Sequence, residues 1–444
     1  MTRSALLLQV LALIVTAPAR AAAPEDAPGV VRLGLEETVA RALASSARLG
    51  QLRAYEDAAT AGLRGARAQR LPSLGFAAGY TRYSDVPEFQ IFTLGQGQSV
   101  LYPNLPNHGR AQVELSLPLY TGGRTAAQIL GAEEQRRATA EDLAAGQGDL
   151  VLEVTSAYWD LLAMRDKARV LGEAINSYEA HLKDATNFFE SGLAARNDLL
   201  AVQVERDRAQ LARLQAANGA EITNANLLRL LDLRPDARVE PILPETAAGA
   251  PAPATELLVA AAGEKRPELR ALRARALAAE AALRAARAGT LPQASLQGGY
   301  ELSNPNPRVF PLEGRWNETW SVGLAVSLTA FDGGRTSAAC AQARAQAEAV
   351  RHQLEDLERK VRLEVTTRAL ELKTAQAARE LAERNVEAAR ENVRVSQDRY
   401  QAGVSVSSDL LDAETRLLRA GLDETVATTD VHVAQAGLDR AVGR

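Results

Sequence analysis

Two long segments of the chain place apolar residues at intervals of three and four positions over many turns. They cover residues 124–189 and 335–400. Such a sustained repeat of about 3.5 residues is typical of helices that pack side by side along their length. Each segment would extend about 100 Å as a helix, at ~1.5 Å per residue. The a and d positions of the first segment are Leu150, Val154, Ala157, Leu161, Met164, Ala168, Leu171, Ile175, Tyr178, Leu182, Ala185 and Phe189.

Four shorter segments also carry helical periodicity. They are 34–70, 197–232, 256–289 and 406–442. The first two together are about as long as the first long helix, and the last two match the second long helix in the same way. We therefore expect each pair to stack end to end along one long helix, which predicts a helical shaft rather than a globule.

Between a shorter helix and a long one, the pattern changes from a helical period to strict alternation. The segments 72–119 and 292–330 each predict a β-hairpin, with strands of about 9–12 residues. In the first strand Leu74, Phe76 and Tyr80 alternate with small or polar residues. Alternation over this length is typical of outer-membrane barrels, whose apolar side chains face lipid. A soluble sheet with one buried face is the alternative.

Four strands cannot close a barrel by themselves, because the smallest single-chain barrels have about eight. An open sheet edge is not tolerated in lipid. Several chains must therefore pool their strands if the hairpins enter a membrane. This reasoning predicts an oligomer and leaves the number of chains open.

The sequence contains an internal duplication. Leu71-Pro72 recurs as Leu291-Pro292, at an offset of 220 residues. The junctions Tyr120-Thr121-Gly122-Gly123-Arg124-Thr125 and Phe331-Asp332-Gly333-Gly334-Arg335-Thr336 recur at an offset of 211. We therefore predict two repeats, 24–232 and 256–444, each with a helix, a β-hairpin, a long helix and a further helix. The Pro- and Ala-rich segment 233–255 is predicted to connect them.

Composition and charge reduce the number of function classes that fit the chain. Aromatic residues make up only 4% of the chain and the net charge is −4, so we expect no nucleic-acid partner. Residues 1–23 have a basic start, a short apolar run and small residues, which predicts a signal peptide and an exported protein. The lone Cys340 excludes a disulfide within the chain.

No pattern in the sequence indicates catalysis. The histidines at 108, 181, 352 and 432 are scattered and have no metal-ligand spacing. The hydrolase, nucleotide-binding and dinucleotide-binding motifs are missing. We expect acidic residues such as Glu134, with Arg137 one turn away, to form surface ion pairs. No enzyme activity, cofactor or metal is therefore predicted, and a pore-less coiled-coil protein of the cell envelope is the alternative to a channel.

The ordered set of motifs resembles the TolC-type outer-membrane efflux protein family over about residues 34–443. The resemblance implies a homotrimer whose chains form a twelve-stranded outer-membrane barrel in contact with lipid, joined to a long periplasmic α-helical tunnel. It also implies docking to a periplasmic adaptor protein and, through it, to an inner-membrane transporter. Efflux of small molecules or metals and type I secretion of proteins all remain open.

The resemblance assigns roles to particular residues. The tips that dock to the adaptor are Gly192, Leu193, Gly403 and Val404. The periplasmic aperture gate comprises Asp409 and Asp412 with the linking pair Asp198 and Tyr400. The strand-to-helix junctions are Gly122, Gly123, Gly333 and Gly334, which permit unusual backbone angles.

Two further expectations concern the start of the last helix. Ser405 stands where some members of the family have a basic residue, which predicts a weaker closed state. Ser407 or Ser408 is expected to cap the helix that carries the gate aspartates.

Overall fold

The computed structural model describes residues 29–93, 97–243 and 254–444, and the predicted signal peptide at 1–23 lies outside them. The helices in these ranges are α1 (Leu35–Ser45), α2 (Ala47–Ala68), α3 (Arg124–Glu190), α4 (Arg196–Leu230), α5 (Thr255–Lys265), α6 (Pro267–Arg287), α7 (Arg335–Gln401) and α8 (Ser407–Val442). The strands are β1 (Val30–Leu33), β2 (Ser73–Arg82), β3 (Phe89–Thr93), β4 (Gly97–Tyr102), β5 (Asn107–Tyr120), β6 (Arg238–Pro241), β7 (Gln293–Asn304) and β8 (Asn317–Ser327).

The helices form one elongated layer around α3 and α7, which have 67 residues each. Across the layer, α2 and α4 both pack against one side of α3, and α6 and α8 both pack against its other side. α7 in turn packs against α6 and α8. Buried aliphatic side chains from the heptad positions of α3 and α7 form the seams between them, among them Val154, Leu161 and Val365. The short helices therefore line up along the long ones, and the molecule is a shaft.

A four-stranded antiparallel sheet with the order β2-β5-β7-β8 stands at one end of the shaft. Two neighbouring rows of side chains across the sheet differ in character. Phe76, Val113, Tyr300 and Trp320 form a continuous apolar row, because each is paired with the next in register. On the other face, the row is Ala77, Gln112, Glu301 and Thr319. One face is thus apolar and uncovered in a single chain, while the opposite face is polar.

The helices expected at 34–70 and 256–289 are wrong as single helices, because each is broken into two. The break in the second lies at Arg266, whose ψ of 120° is extended. Pro267 follows it, and a proline disfavours helical geometry in the residue before it. The break in the first lies at Ser46, whose side chain accepts a hydrogen bond from the Leu49 amide and so starts a new helix.

The connection in the first hairpin also differs from the prediction. Only two strands were expected in the hairpin at 72–119, but β3 and β4 pair between them as a second, smaller hairpin. β5 begins at Asn107 and has 14 residues, which exceeds the predicted strand length. The long connection therefore extends the first hairpin beyond the four-stranded sheet.

The connector predicted at 233–255 contains a strand. β6 pairs in parallel with β1, far away in sequence. The Tyr158 hydroxyl lies 3.2 Å from the carbonyl oxygen of Leu33 and also contacts that of Ile242. Arg165 donates a hydrogen bond of 2.7 Å to the carbonyl oxygen of Val239. The connector is thus bound to the middle of α3, and residues 244–253 lie outside the described ranges.

A buried ionic network joins the two halves near the middle of the shaft. The Arg440 side chain is 10% exposed, and its guanidinium contacts Asp149 at 2.7 Å and Glu268 at 2.5 Å. Burial acts to raise the pKa of Glu268, but the hydrogen bond from Arg440 and the nearby positive charges lower it overall. The surface ion pair expected of Glu134 and Arg137 forms at 3.1 Å, although the Glu134 side chain is buried.

Across the residues that the structure describes, no helix is sufficiently long and apolar to cross a membrane. No cluster of potential metal ligands occurs among them either.

Candidate functional site

The shaft ends in two tight turns, one between α3 and α4 and one between α7 and α8. At ~1.5 Å per residue, they lie about 100 Å along the long helices from the sheet. Gly192 and Gly403 have left-handed backbone, with φ of 79° and 70°. The residue after each glycine donates its amide to a carbonyl five positions back, at 2.8 and 2.9 Å. Both long helices therefore end in the same glycine-dependent cap.

The residues that follow these glycines are apolar and exposed. Leu193 is 78% exposed and Val404 is 69% exposed. In such caps the residue after the glycine frequently packs back on its own helix. Because these two side chains point away instead, each tip presents an apolar group to whatever lies beyond it.

Asp409 and Asp412 lie on the exposed face of the first two turns of α8. They are three residues apart, so they are neighbours on that face. Neither side-chain carboxylate makes a hydrogen bond or ion pair with the described part of this chain. Both carboxylates are therefore available to face other chains or ions.

The expectation that Ser407 or Ser408 caps this helix is wrong. Val406 occupies the cap position and provides no side-chain hydrogen bond. Ser407 is buried, and its hydroxyl lies 2.9 Å from Nε2 of His181 on α3. A contact between helices has thus taken the place of a local cap.

Asp198 and Tyr400 are not hydrogen-bonded to each other within one chain. A carboxylate oxygen of Asp198 accepts the Ala195 amide at 3.4 Å, at the start of α4. Tyr400 is buried, and its hydroxyl makes no well-formed hydrogen bond to a described residue. Burial raises the pKa of Tyr400, and the negative charges of Asp184 and Asp198 add to the rise. The link between Asp198 and Tyr400 stays a prediction.

A polar cluster beneath the tips was not predicted from the sequence. Nδ1 of His181 lies 2.9 Å from a carboxylate oxygen of Glu414, and the Ser177 hydroxyl donates to the other oxygen at 2.5 Å. The Tyr400 ring packs against the His181 ring, with their centroids 5.2 Å apart. The only sequence signal was a histidine within a heptad segment, with Ser407 and Glu414 seven residues apart on one face of α8.

The four junction glycines all have positive φ, between 63° and 87°. Gly123 and Gly334 are the residues immediately before α3 and α7. A side chain at Gly122 would meet Cβ of Leu291 at 2.7 Å, so this position requires glycine for space as well. In the second half Asp332 accepts hydrogen bonds from the amides of Gly334 and Thr336, which caps α7. The glycines turn each strand directly into a long helix.

The sequence model of the family described as "Outer membrane efflux protein" matches residues 38–232 and 258–444. The two matches cover most of the chain and fall on its two halves. The chain belongs to the outer membrane efflux protein family. It is therefore an outer-membrane protein of a family of efflux and secretion channels.

Characterised members of the outer membrane efflux protein family are similar along most of the chain. Protein CyaE of Bordetella pertussis is 28% identical over 402 residues, which cover 89% of this chain and 81% of CyaE. The outer membrane protein TolC of Vibrio cholerae is 24% identical over 419 residues, which cover 92% of this chain and 90% of TolC.

Solved structures show the same fold. The outer membrane protein VceC of Vibrio cholerae superposes with a TM-score of 0.79 at 20% sequence identity, and the match covers 92% of this chain and 96% of VceC. CusC superposes with a TM-score of 0.78 at 17% identity, covering 92% of each chain. The shaft with its terminal sheet is thus the fold of VceC and CusC as well.

Proposed function

We propose that three copies of this chain form one channel, the exit duct of a tripartite efflux or type I secretion system. Each copy contributes its four strands to a twelve-stranded barrel in the outer membrane and its helices to a periplasmic tunnel. Substrates enter at the tips from a periplasmic adaptor and an inner-membrane transporter, and leave through the barrel. The channel conducts its cargo without a catalytic step.

The main support for this proposal is that the sheet and the helical layer are both open at their sides. β2 and β8 each have one unpaired side in a single chain. α2 leads directly into β2, and β8 leads directly into α7, so the sheet and the helices are open along the same two sides. Two different open sides can be joined by rotated copies of one chain, which form a closed ring. Closing the ring would satisfy the strand edges and cover the outer helices together.

The sheet also has the side-chain pattern that a water-filled barrel needs. The row with Phe76 and Trp320 would face lipid, while the row with Gln112 and Glu301 would line the interior. A pore-less spacer of the cell envelope would have no use for a membrane-length sheet with one polar face. The side-chain pattern therefore favours a channel.

A conductance measurement tests the channel. We expect the purified protein to have the mass of three chains in mild detergent and to produce discrete ion-conducting steps in a planar bilayer. A monomer that inserts into lipid would contradict the trimer. A trimer that inserts without conducting would support the pore-less spacer instead.

Partner docking is assigned to the tips. Gly192, Leu193, Gly403 and Val404 lie at the end of the shaft away from the sheet, where an adaptor would approach from the periplasm. The exposed Leu193 and Val404 side chains would be covered by the helical hairpin of the adaptor. Removing such apolar surface from water favours association.

The gate is assigned to Asp409 and Asp412, which three chains would bring together as six carboxylates around the aperture. Two such charges ~6 Å apart repel by about 3 kcal/mol at an effective dielectric of ~20. A ring of this kind attracts cations to the mouth of the channel. Tyr400 and Asp198 of neighbouring helices are proposed to help hold the aperture shut.

Replacing Asp409 and Asp412 together by asparagine is expected to weaken the block of the channel by multivalent cations added from the periplasmic side. The blocking affinity should fall on the order of tenfold or more, because each 1.4 kcal/mol of lost attraction corresponds to a factor of ten. Cation selectivity should fall as well, because the asparagines keep the shape and remove the charge. Asp423→Asn serves as the control, since Asp423 is exposed on α8 about three turns further along. Unaltered block and selectivity in the double variant would leave these aspartates without a gating role.

A further inference from the structure

We infer that His181 is a positioning residue of the aperture, which ties the helix carrying Asp409 and Asp412 to α3 and so maintains the resting closed state. The inference rests on the gate proposed above and adds to it a structural element outside the aperture. It is carried by a buried hydrogen-bond cluster between α3 and α8, together with the position of that cluster along α8.

The cluster contains one imidazole with a partner on each ring nitrogen. Nδ1 lies 2.9 Å from Oε2 of Glu414, and Nε2 lies 2.9 Å from Oγ of Ser407. The His181 side chain is 1% exposed and that of Glu414 is 6% exposed. Both partners belong to α8, while His181 and Ser177 belong to α3. A single side chain of one helix therefore holds two points of another.

The partners fix the tautomer of the imidazole. A carboxylate accepts hydrogen bonds, so Nδ1 carries the proton and donates to Glu414. In the neutral imidazole, Nε2 then accepts from the hydroxyl of Ser407, and in the protonated ring it donates to that oxygen. The second carboxylate oxygen of Glu414 accepts from Ser177 at 2.5 Å. The polar groups of His181, Glu414, Ser407 and Ser177 are thus paired with one another, which favours one arrangement of the two helices. The buried hydroxyl of the neighbouring Tyr400 makes no well-formed hydrogen bond to a described residue.

The spacing of the two held points explains why the cluster acts on the aperture. Ser407 and Glu414 are seven residues apart, which is about two helical turns. Asp409 and Asp412 lie between them on the exposed face of the same two turns. When both ends of this segment are held against α3, the aspartates between them are held as well.

Near the tips, Leu411 and Leu418 of α8 also pack against an apolar cluster that includes Ile175 and Tyr178 of α3, and the Tyr178 hydroxyl lies 3.3 Å from that of Thr415. The His181 cluster is thus the buried polar part of a wider contact between these helices. α8 packs along α3, but it has very few contacts with α4. The Tyr400 ring lies against the His181 ring from the side of α7. His181 thus stands where α3, α7 and α8 meet, and we expect its removal to let the α7–α8 pair move away from α3.

A Ser–His–Glu arrangement also occurs in hydrolases, where the serine attacks a substrate. Here Ser407 is 5% exposed and lies at the packed surface between two helices. A substrate cannot reach this hydroxyl while the helices are packed. The cluster therefore joins helices, and no hydrolytic step is assigned to it.

The test uses the full-length trimer in planar bilayers with His181→Phe. Phenylalanine keeps a ring against Tyr400 and removes both hydrogen bonds. Since hydrogen bonds to charged groups contribute about the energy of a tenfold ratio, we expect the ratio of open to closed time to rise on the order of tenfold. His352→Phe is the matched control, because His352 lies exposed on α7, and it should gate like the wild type.

Glu414→Gln provides a second variant that keeps the shape of the side chain. It should raise the open fraction less than His181→Phe, and the double variant should open no more than His181→Phe alone, because both residues act through one contact. If His181→Phe yields no trimer, the gating of Glu414→Gln decides the question by itself.

The possible results of these experiments distinguish the role of His181 from the gating role of Asp409 and Asp412. Wild-type gating in His181→Phe trimers, alongside weakened cation block in the Asp409 and Asp412 variant, would overturn the role of His181 and leave the gate standing. A loss of closed time in His181→Phe trimers, with wild-type gating in His352→Phe, would support it. Unaltered block in the aspartate variant would instead remove the gate on which the inference rests.

Discussion

Tryptophan in place of Gly192 or Gly403 is expected to reduce transport to the level of a strain without the channel, while trimer and barrel persist. No atom lies within 4 Å of the position that Cβ would take at either glycine. A large side chain would therefore project from the tip toward the adaptor without disturbing the chain's own packing. The positive φ adds a strain of roughly 1–2 kcal/mol for a residue other than glycine, confined to the end of one helix.

The measurement is transport by the assembled system in its own host, as sensitivity to toxic compounds or as protein secretion, together with the amount of trimer in the outer membrane. Gly334→Trp is the control, because Gly334 has a φ of 87° and equally open space but lies at the opposite end of the shaft. It imposes the same backbone strain without touching the tip. Full transport by both tip variants would refute the docking role, and equal loss in the control would indicate a folding defect.

The architecture was predictable because its signals are repeated along the chain. A heptad pattern over about eleven turns, from Leu150 to Phe189 at ~3.6 residues per turn, averages out single exceptions. The long helix expected at 124–189 is accordingly seen at Arg124–Glu190. The alternation of the strands likewise gave the correct faces of Phe76 and Trp320. The four junction glycines were expected to permit unusual backbone angles, and all four have positive φ.

The missed features depend on contacts between residues that are distant in sequence. β1 and β6 have only four residues each, which is too short for a pattern, and they form because each completes the other beside Tyr158. Arg440 is separated from Asp149 by 291 positions, so its burial could not be read from neighbouring residues. Ser407 looked like a local cap, yet a histidine 226 positions away offered a buried partner. The structure at such positions depends on tertiary packing between distant parts of the chain.

Both outer helices of the layer carry a second apolar face that a single chain leaves bare. On α4 the buried positions Val202 and Ala209 lie on one side, and an exposed stripe lies nearly opposite at ~100° per residue. The stripe consists of Leu200, Val204, Leu211, Leu214 and Ile222. On α7 the exposed stripe opposite the buried seam consists of Leu363, Leu370, Leu381 and Val395. A helix with two apolar faces needs a neighbour on each, and in the proposed ring these stripes meet between adjacent copies.

Replacing Leu211 and Leu370 together by aspartate is therefore expected to abolish the trimer and with it all conductance. Each change forfeits about 2 kcal/mol of apolar burial and places an unpaired carboxylate in the contact, which costs several kcal/mol more. Since the ring has three identical contacts, the losses occur three times. Mass in mild detergent and conductance in bilayers are the measurements.

Ala217→Asp is the matched control, because Ala217 is exposed on α4 but lies to the side of the stripe, about 60° from Val202 and about 120° from Leu211 at ~100° per residue. An aspartate there adds the same charge to the same helix and should leave the trimer intact. A double variant of Leu211 and Leu370 that still forms conducting trimers would show that these stripes face something other than a second copy. The closed ring would then have to be held by the strands β2 and β8 alone, whose unpaired sides remain the other contact between copies.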